Sequence, residues 1–265
     1  MTFPILKGAP ESLFEVDGIA RGQNAMVAQM ATRPSMCDPE GLPRPGILGV
    51  LADNVLGYSV IGGAPTGSWA VTTEMSLDIV GGLPRDGGNV HGRASLLDSD
   101  LSGGFSEGTF VDDSGRVIAR GRQRGRFIPG IPEPPLVVTD AERNLAPPED
   151  LHTLLGVHGA RQGTAETVIT LEVTSALTNQ LDNLHGGVSL CLAEMAGAAA
   201  LRNGGPPLTT ASVHVTYLRP AKLGSTIRMT ATPGHRGRTL GLAHVVLALA
   251  DGRPCVMATV AGHGQ

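Results

Sequence analysis

Aromatic side chains are scarce: Phe, Tyr and Trp make up 3% of the 265 residues, against 41% hydrophobic residues overall. A real core is affordable, but it has to be aliphatic. Cysteine is scarce too. Cys37, Cys191 and Cys255 are an odd count with no C-x-x-C spacing, which fits buried thiols in a reducing compartment rather than a disulfide framework. Lysine occurs only as Lys7 and Lys222, arginine carrying the rest of the positive charge. No apolar stretch is long enough to span a membrane, and the first residues lack the apolar segment of a signal peptide, so a soluble, cytoplasmic protein without membrane partners is expected. A formal net charge of -4 and a pI near 6.0 argue against nucleic acid as a partner. His152, His158, His235, His244 and His263 have no metal-ligand spacing, and Ser189 lies in no G-x-S-x-G frame. Neither a metal, a cofactor nor a serine nucleophile is expected.

Glycine, by contrast, is abundant, with 37 residues. Apolar periodicity persists around them, which points to tight turns and close backbone approaches rather than disorder. The basic run Arg120, Arg122, Arg124, Arg126 alternates as the solvated face of a strand would. The alternative reading for it is an anionic ligand.

The chain reads as one unit written twice. Gly18-Ile-Ala-Arg-Gly22 lines up with Gly159-Ala-Arg-Gln-Gly163, 141 positions later. At the same offset Asp38, Gly41, Arg44, Pro45 and Gly46 fall on Asn179, Asp182, His185, Gly186 and Gly187, and Asp53 falls on Glu194. Farther on, Leu77, Ile79 and Pro84 match Val213, Val215 and Pro220. A proline-rich stretch, Ile128 to Pro135, reads as a stiff linker and sets the boundary near residue 140: repeats 1–140 and 141–265. Each repeat runs strand, helix, then several strands. The helices, Gly46 to Ile61 and Gly186 to Leu201, are apolar around nearly their whole circumference and must be enclosed. The expected class is α+β, a long helix wrapped by a curved antiparallel sheet, twice over.

The spacing also defines a candidate site. A helix start offers free N–H groups and partial positive charge to a carbonyl oxygen gaining negative charge, and Gly186-Gly187 allows close approach. Glu194 lies eight residues past Gly186, about 12 Å along a helix. It cannot serve its own helix start, but an antiparallel helix from the other repeat could. Two unequal composite sites follow. One joins Asn179, His185 and the Gly186 amide to Asp53. The other joins Asp38, Arg44 and Pro45 to Glu194, and proline has no N–H to give. Losing an oxyanion donor costs a factor of about a hundred to a thousand, so the second site is expected to be inactive or a scaffold.

His185-Gly186-Gly187, Glu194, Asn179 and the later Tyr217-Leu218-Arg219-Pro220-Ala221-Lys222-x-Gly224 together resemble the hotdog-fold acyl-CoA thioesterases, nearest the phenylacetate-pathway type. The resemblance runs over about 152–263 and is only structural over 14–127. It implies a tandem double hotdog that hydrolyses an acyl-CoA to free acid and coenzyme A. It also implies roles: Gly186 as oxyanion amide, Asn179 orienting the thioester, and Asp53 as nucleophile or base across the interface. His185 would be largely structural. Arg219 would hold coenzyme A phosphates, or simply end a strand. Some members carry a Thr one turn after the acid; here Gly57 and Ala198 occupy those positions, and Asp182 replaces a loop glycine. A homodimer of double-hotdog chains, paired through exposed sheet edges, is expected. Two other classes stay open: a non-catalytic acyl-CoA-binding protein, and a hotdog enoyl-CoA hydratase suggested by Asp86-x-x-Asn89-x-His91, which follows the helix instead of leading into it.

Overall fold

The computed structural model describes residues 4–84, 87–132, 148–162, 166–202 and 205–264. The first half holds α1 (Ala9–Leu13), β1 (Val16–Gly22), β2 (Ala25–Ala31), α2 (Leu48–Ile61), β3 (Ser68–Ile79), β4 (Asn89–Ser99), β5 (Gly103–Asp112) and β6 (Val117–Pro129). The second repeats the order as α3 (Leu151–Leu155), β7 (His158–Gln162), β8 (Thr167–Glu172), α4 (Gly186–Leu201), β9 (Thr209–Tyr217), β10 (Thr226–Arg236), β11 (Leu240–Leu249) and β12 (Pro254–His263). Each half therefore opens with a short helix and an added strand, more than the single strand expected. The Gly18–Gly22 motif is the edge strand β1. The boundary near 140 lies outside the described residues.

All strands join one antiparallel twelve-stranded sheet, ordered β1-β2-β4-β5-β6-β3-β9-β12-β11-β10-β8-β7. Read from either end, the order gives matching strands of the two halves, so a pseudo-twofold axis lies between β3 and β9. There Leu77 pairs with Val213, the residues aligned between the repeats. Buried side chains from both halves form one continuous, mainly aliphatic cluster that also holds Phe14, Tyr58, Trp69 and Phe110. This is the expected double hotdog.

The two long helices explain their own composition. One side of each meets its sheet and another meets the other helix, so a polar stripe has nowhere to face water. They run antiparallel, with their backbones in contact. A Cβ on Gly46 would lie 2.9 Å from the Cβ of Glu194 and 3.0 Å from the Cα of Cys191, and one on Gly187 would enter the backbone of Gly49 and Val50. On α2 every side chain is buried except at Asp53 and Gly57, one turn apart. Those two positions face a cavity between the repeats.

Candidate active site

That cavity, about 470 Å³, lies between the repeats. Its walls include Asp53, Gly57, Thr72 and Gln123 from the first half with Asn179, His185, Gly186 and Tyr217 from the second. The antiparallel crossing puts Asp53 against the start of α4. Its Oδ2 accepts the Gly187 N–H at 3.1 Å, and a Cβ added to Gly186 would stand 2.7 Å from the same oxygen. The Gly186 N–H has no acceptor among the described residues, as befits a first helical position. Tyr217 donates its hydroxyl to the Gly186 carbonyl at 2.8 Å and so fixes the orientation of that peptide unit. The expected group of Asp53, Asn179, His185, Gly186 and Gly187 is thus brought together.

In its neutral form His185 caps α4, Nδ1 accepting the Gly187 N–H at 3.1 Å with the ring's proton on Nε2; once protonated, the ring leaves that N–H to Asp53. Nε2 faces Glu11 Oε1 at 3.2 Å. Glu11, on α1, is 2% exposed and also takes the Asn54 amide and the Gly8 N–H. Burial opposes its ionisation. The bond and charge of His185, its own backbone N–H and Asn54 outweigh that and hold the carboxyl down to about 2. Burial likewise pushes His185 down, but the bond to Glu11 and the charges of Asp53 and Glu11 raise it above its ordinary value. His185 Nδ1 lies 3.4 Å from Asp53 Oδ2, so the ring braces the carboxylate as well as the helix.

The other carboxylate oxygen is held from the sheet. A β-bulge between Thr72 and Glu74 breaks the alternation of β3, and Thr72 donates to Asp53 Oδ1 at 3.1 Å. Gln123 in turn donates its Nε2 to Thr72 Oγ1 at 2.9 Å, while its Oε1 has no hydrogen-bond partner among the described residues. A buried acceptor left so costs about 1–3 kcal/mol.

In the loop before α4, Asn179 Oδ1 accepts from the N–H of Leu181 and of Asn183, an Asx-type brace, and its amide nitrogen has no described acceptor. Asp182 takes the left-handed conformation, φ 53°, as Gly41 does at the matched place in the first half. The replaced glycine thus leaves the turn intact. Arg219 also lines the cavity and donates to the Pro254 carbonyl.

The second composite grouping looks different. Glu194 does not reach the large cavity. It is fully buried, paired with Arg44 through both guanidinium and carboxylate forks, and bonded by Thr210. Arg202 and Arg44 reach Asp38 at 2.6 and 3.8 Å. Beside them remains a space of about 40 Å³. Pro45 begins a short 3-10 turn at the head of α2. The arginines 120, 122, 124 and 126 are exposed on β6, opposite Asp78 and Glu74 on β3 and Glu107 on β5, which is the solvated face. Asp86 lies outside the described residues, and His91 pairs with Asp113 at 2.8 Å on the outer surface, away from the cavity.

Sequence reasoning missed Glu11, Thr72 and Gln123, and named Tyr217 only as part of a motif, without a role. Of the three missed, only Gln123 left a usable signal. It is the polar member of the inward-facing set Gly121, Gln123, Gly125, opposite the arginines.

Comparison with known proteins finds thioesterases among those similar to this chain. The sequence model described as Thioesterase superfamily matches residues 181–256, which lie in the second repeat. Over 82 residues the chain is 34% identical to acyl-coenzyme A thioesterase 13 of Mus musculus, which covers 30% of this chain and 59% of the mouse protein. It is 32% identical over 75 residues to acyl-coenzyme A thioesterase PaaI of Escherichia coli, covering 28% and 54%. The chain thus spans less than two thirds of the length of either curated relative. Solved structures extend the likeness of fold to both repeats. A Novosphingobium aromaticivorans protein provisionally named a thioesterase superposes with a TM-score of 0.67 at 14% identity, covering 94% of this chain and 98% of its own. The tesB protein of Mycobacterium avium subsp. paratuberculosis gives 0.67 at 11%, covering 95% and 96%. No helix among the described residues is long and apolar enough to cross a membrane.

Proposed function

We propose that this chain hydrolyses acyl-CoA thioesters at one composite site formed by both repeats, which act as the domains 1–140 and 141–265. The observation that carries the reading is the Asp53 carboxylate held against the Gly186–Gly187 helix start inside a cavity between the repeats. The thioester carbonyl oxygen binds at the Gly186 N–H, assisted by the α4 dipole, with the Asn179 amide orienting it. Asp53 takes a proton from water, the oxygen adds to the carbonyl carbon, and the oxyanion forms at Gly186. Collapse breaks the C–S bond, and the coenzyme A thiolate leaves with the proton from Asp53. Both Asp53 oxygens already accept hydrogen bonds, from Thr72 and Gly187. That favours a group that takes a proton in place over one that must swing out to attack. His185 acts as a brace and Arg219 as a coenzyme A contact at the rim. Arg44 fills the Glu194 side with an ion pair, which supports a scaffolding role there. A second chain would pair along the sheet edges, β1 or β7.

The test is thiol release from a panel of short, long and aromatic acyl-CoAs. Turnover of at least one supports the reading. Tight acyl-CoA binding with no release from any would replace it with a binding protein.

A further inference from the structure

We propose that Glu11 is a positioning residue for the hydrolysis, holding His185 as a cation between Asp53 and the place where the oxyanion forms. This rests on the thioesterase reading above and adds to it a fixed counter-ion on α1.

A carboxylate stands at each ring nitrogen of His185. Glu11 Oε1 lies 3.2 Å from Nε2, and Asp53 Oδ2 lies 3.4 Å from Nδ1. Ionised carboxylates only accept, so both are served only by a ring with two N–H donors, the imidazolium. The Gly187 N–H, 3.1 Å from Nδ1 and from Asp53 Oδ2 alike, then goes to Asp53. Among the described residues, Glu11 from α1 and Asp53 from α2 are the charged groups that face the ring. Tyr58 of α2 and Tyr217 of β9 flank them, bonded to Leu6 and to the Gly186 carbonyl. Burial raises both phenols, so they stay neutral.

The reaction explains why two carboxylates are present. Hydrolysis moves a negative charge from Asp53, as it takes the proton of water, to the carbonyl oxygen at the Gly186 N–H. A cation beside both places keeps that charge paired throughout. Asp53 becomes neutral at that moment and stops holding the proton on the ring. Glu11 continues to hold it: the carboxylate is 2% exposed and fixed by the Asn54 amide and the Gly8 N–H.

The duplication supplies an independent comparison. At the offset of 141, His185 matches Arg44, Asp53 matches Glu194, and Glu11 matches His152. Arg44 grips Glu194, so a permanent cation stands beside the helix acid in that grouping, and His152 offers it no carboxylate. Arginine stays charged unaided, whereas histidine needs the counter-ion that Glu11 supplies.

The test is the pH dependence of kcat for thiol release by wild type, Glu11→Gln and His185→Gln. Glu11→Gln keeps an oxygen for Nε2 and removes only the charge. Wild-type kcat should fall on the alkaline side as His185 loses its proton. In Glu11→Gln that fall should come at least about 1 pH unit lower, and in His185→Gln it should be missing. The position of the fall does not depend on how much of a variant is folded, so a merely structural role would leave it in place. A fall that stays put or moves up in Glu11→Gln would overturn the proposal, and so would one that persists in His185→Gln. A wild type that releases no thiol from any acyl-CoA would remove the thioesterase reading itself, and this inference with it.

Discussion

Gly186→Ala separates the chemistry from the fold more cleanly than any change to a charged residue. Gly186 has no left-handed φ to protect and is the first residue of α4, so alanine suits the backbone and raises helix propensity by up to about 1 kcal/mol. What it disturbs is Asp53. The added Cβ would stand 2.7 Å from Oδ2 and 3.2 Å from both Cγ and Oδ1, about 0.7 Å inside ordinary contact with Oδ2. The carboxylate must retreat by that amount and loosen its bond to the Gly187 N–H. A misplacement near 1 Å costs on the order of a hundredfold in rate. Thiol release by Gly186→Ala should therefore fall about a hundredfold while its Tm stays near that of the wild type. Gly187→Ala is the contrast: its Cβ would enter the backbone of Gly49 and Val50, so the fold itself should fail. A Gly186→Ala enzyme with wild-type kcat would refute the claim that Asp53 works at this helix start.

Three further outcomes are expected. Glu194→Gln removes the carboxylate that Arg44 grips and leaves the buried guanidinium only the more distant Asp38 at 3.8 Å, at a cost of up to about 3–5 kcal/mol. Thermal melts should show a Tm lower by on the order of 10 °C, with kcat per folded molecule unchanged. Glu11→Gln should weaken the α1–α4 junction in a pH-dependent way, read as the Tm difference from wild type. Glu11 is lowered from 4.5 to about 2, so its share of stability is complete above pH 4.5 and is lost as pH falls toward 2. His185 is raised from 6.5, so its share is complete below pH 6.5 and is lost as pH climbs through its raised value. The difference should peak between pH 4.5 and 6.5 and narrow on both sides. Tyr217→Phe removes the hydroxyl that fixes the Gly186 carbonyl and should lower kcat by about tenfold, measured as thiol release.

What the sequence disclosed depended on how local the signal was. The duplication and the two all-apolar helices are patterns along the chain, and from them followed the enclosed helices, the curved sheets and the antiparallel crossing. The grouping of Asp53 with the His185–Gly187 segment, and of Asp38 and Arg44 with Glu194, followed from the same offset. The structure adds that Arg44 fills its grouping with an ion pair. Glu11 was not legible, because it sits on a five-residue helix 174 positions from His185 and only the fold joins them. Thr72 was hidden by a bulge, which no alternation rule anticipates. Gln123 stood in plain alternation, but a single polar side chain on an inward face means little until its neighbours are known.

The central claim is that the acid of the first repeat serves the helix start of the second. Asp53→Asn tests it most directly, because the change keeps shape and removes only the capacity to take a proton. The account predicts that acyl-CoA thiol release falls by about 10²- to 10⁴-fold with the fold intact by circular dichroism. Release at the wild-type rate would contradict it.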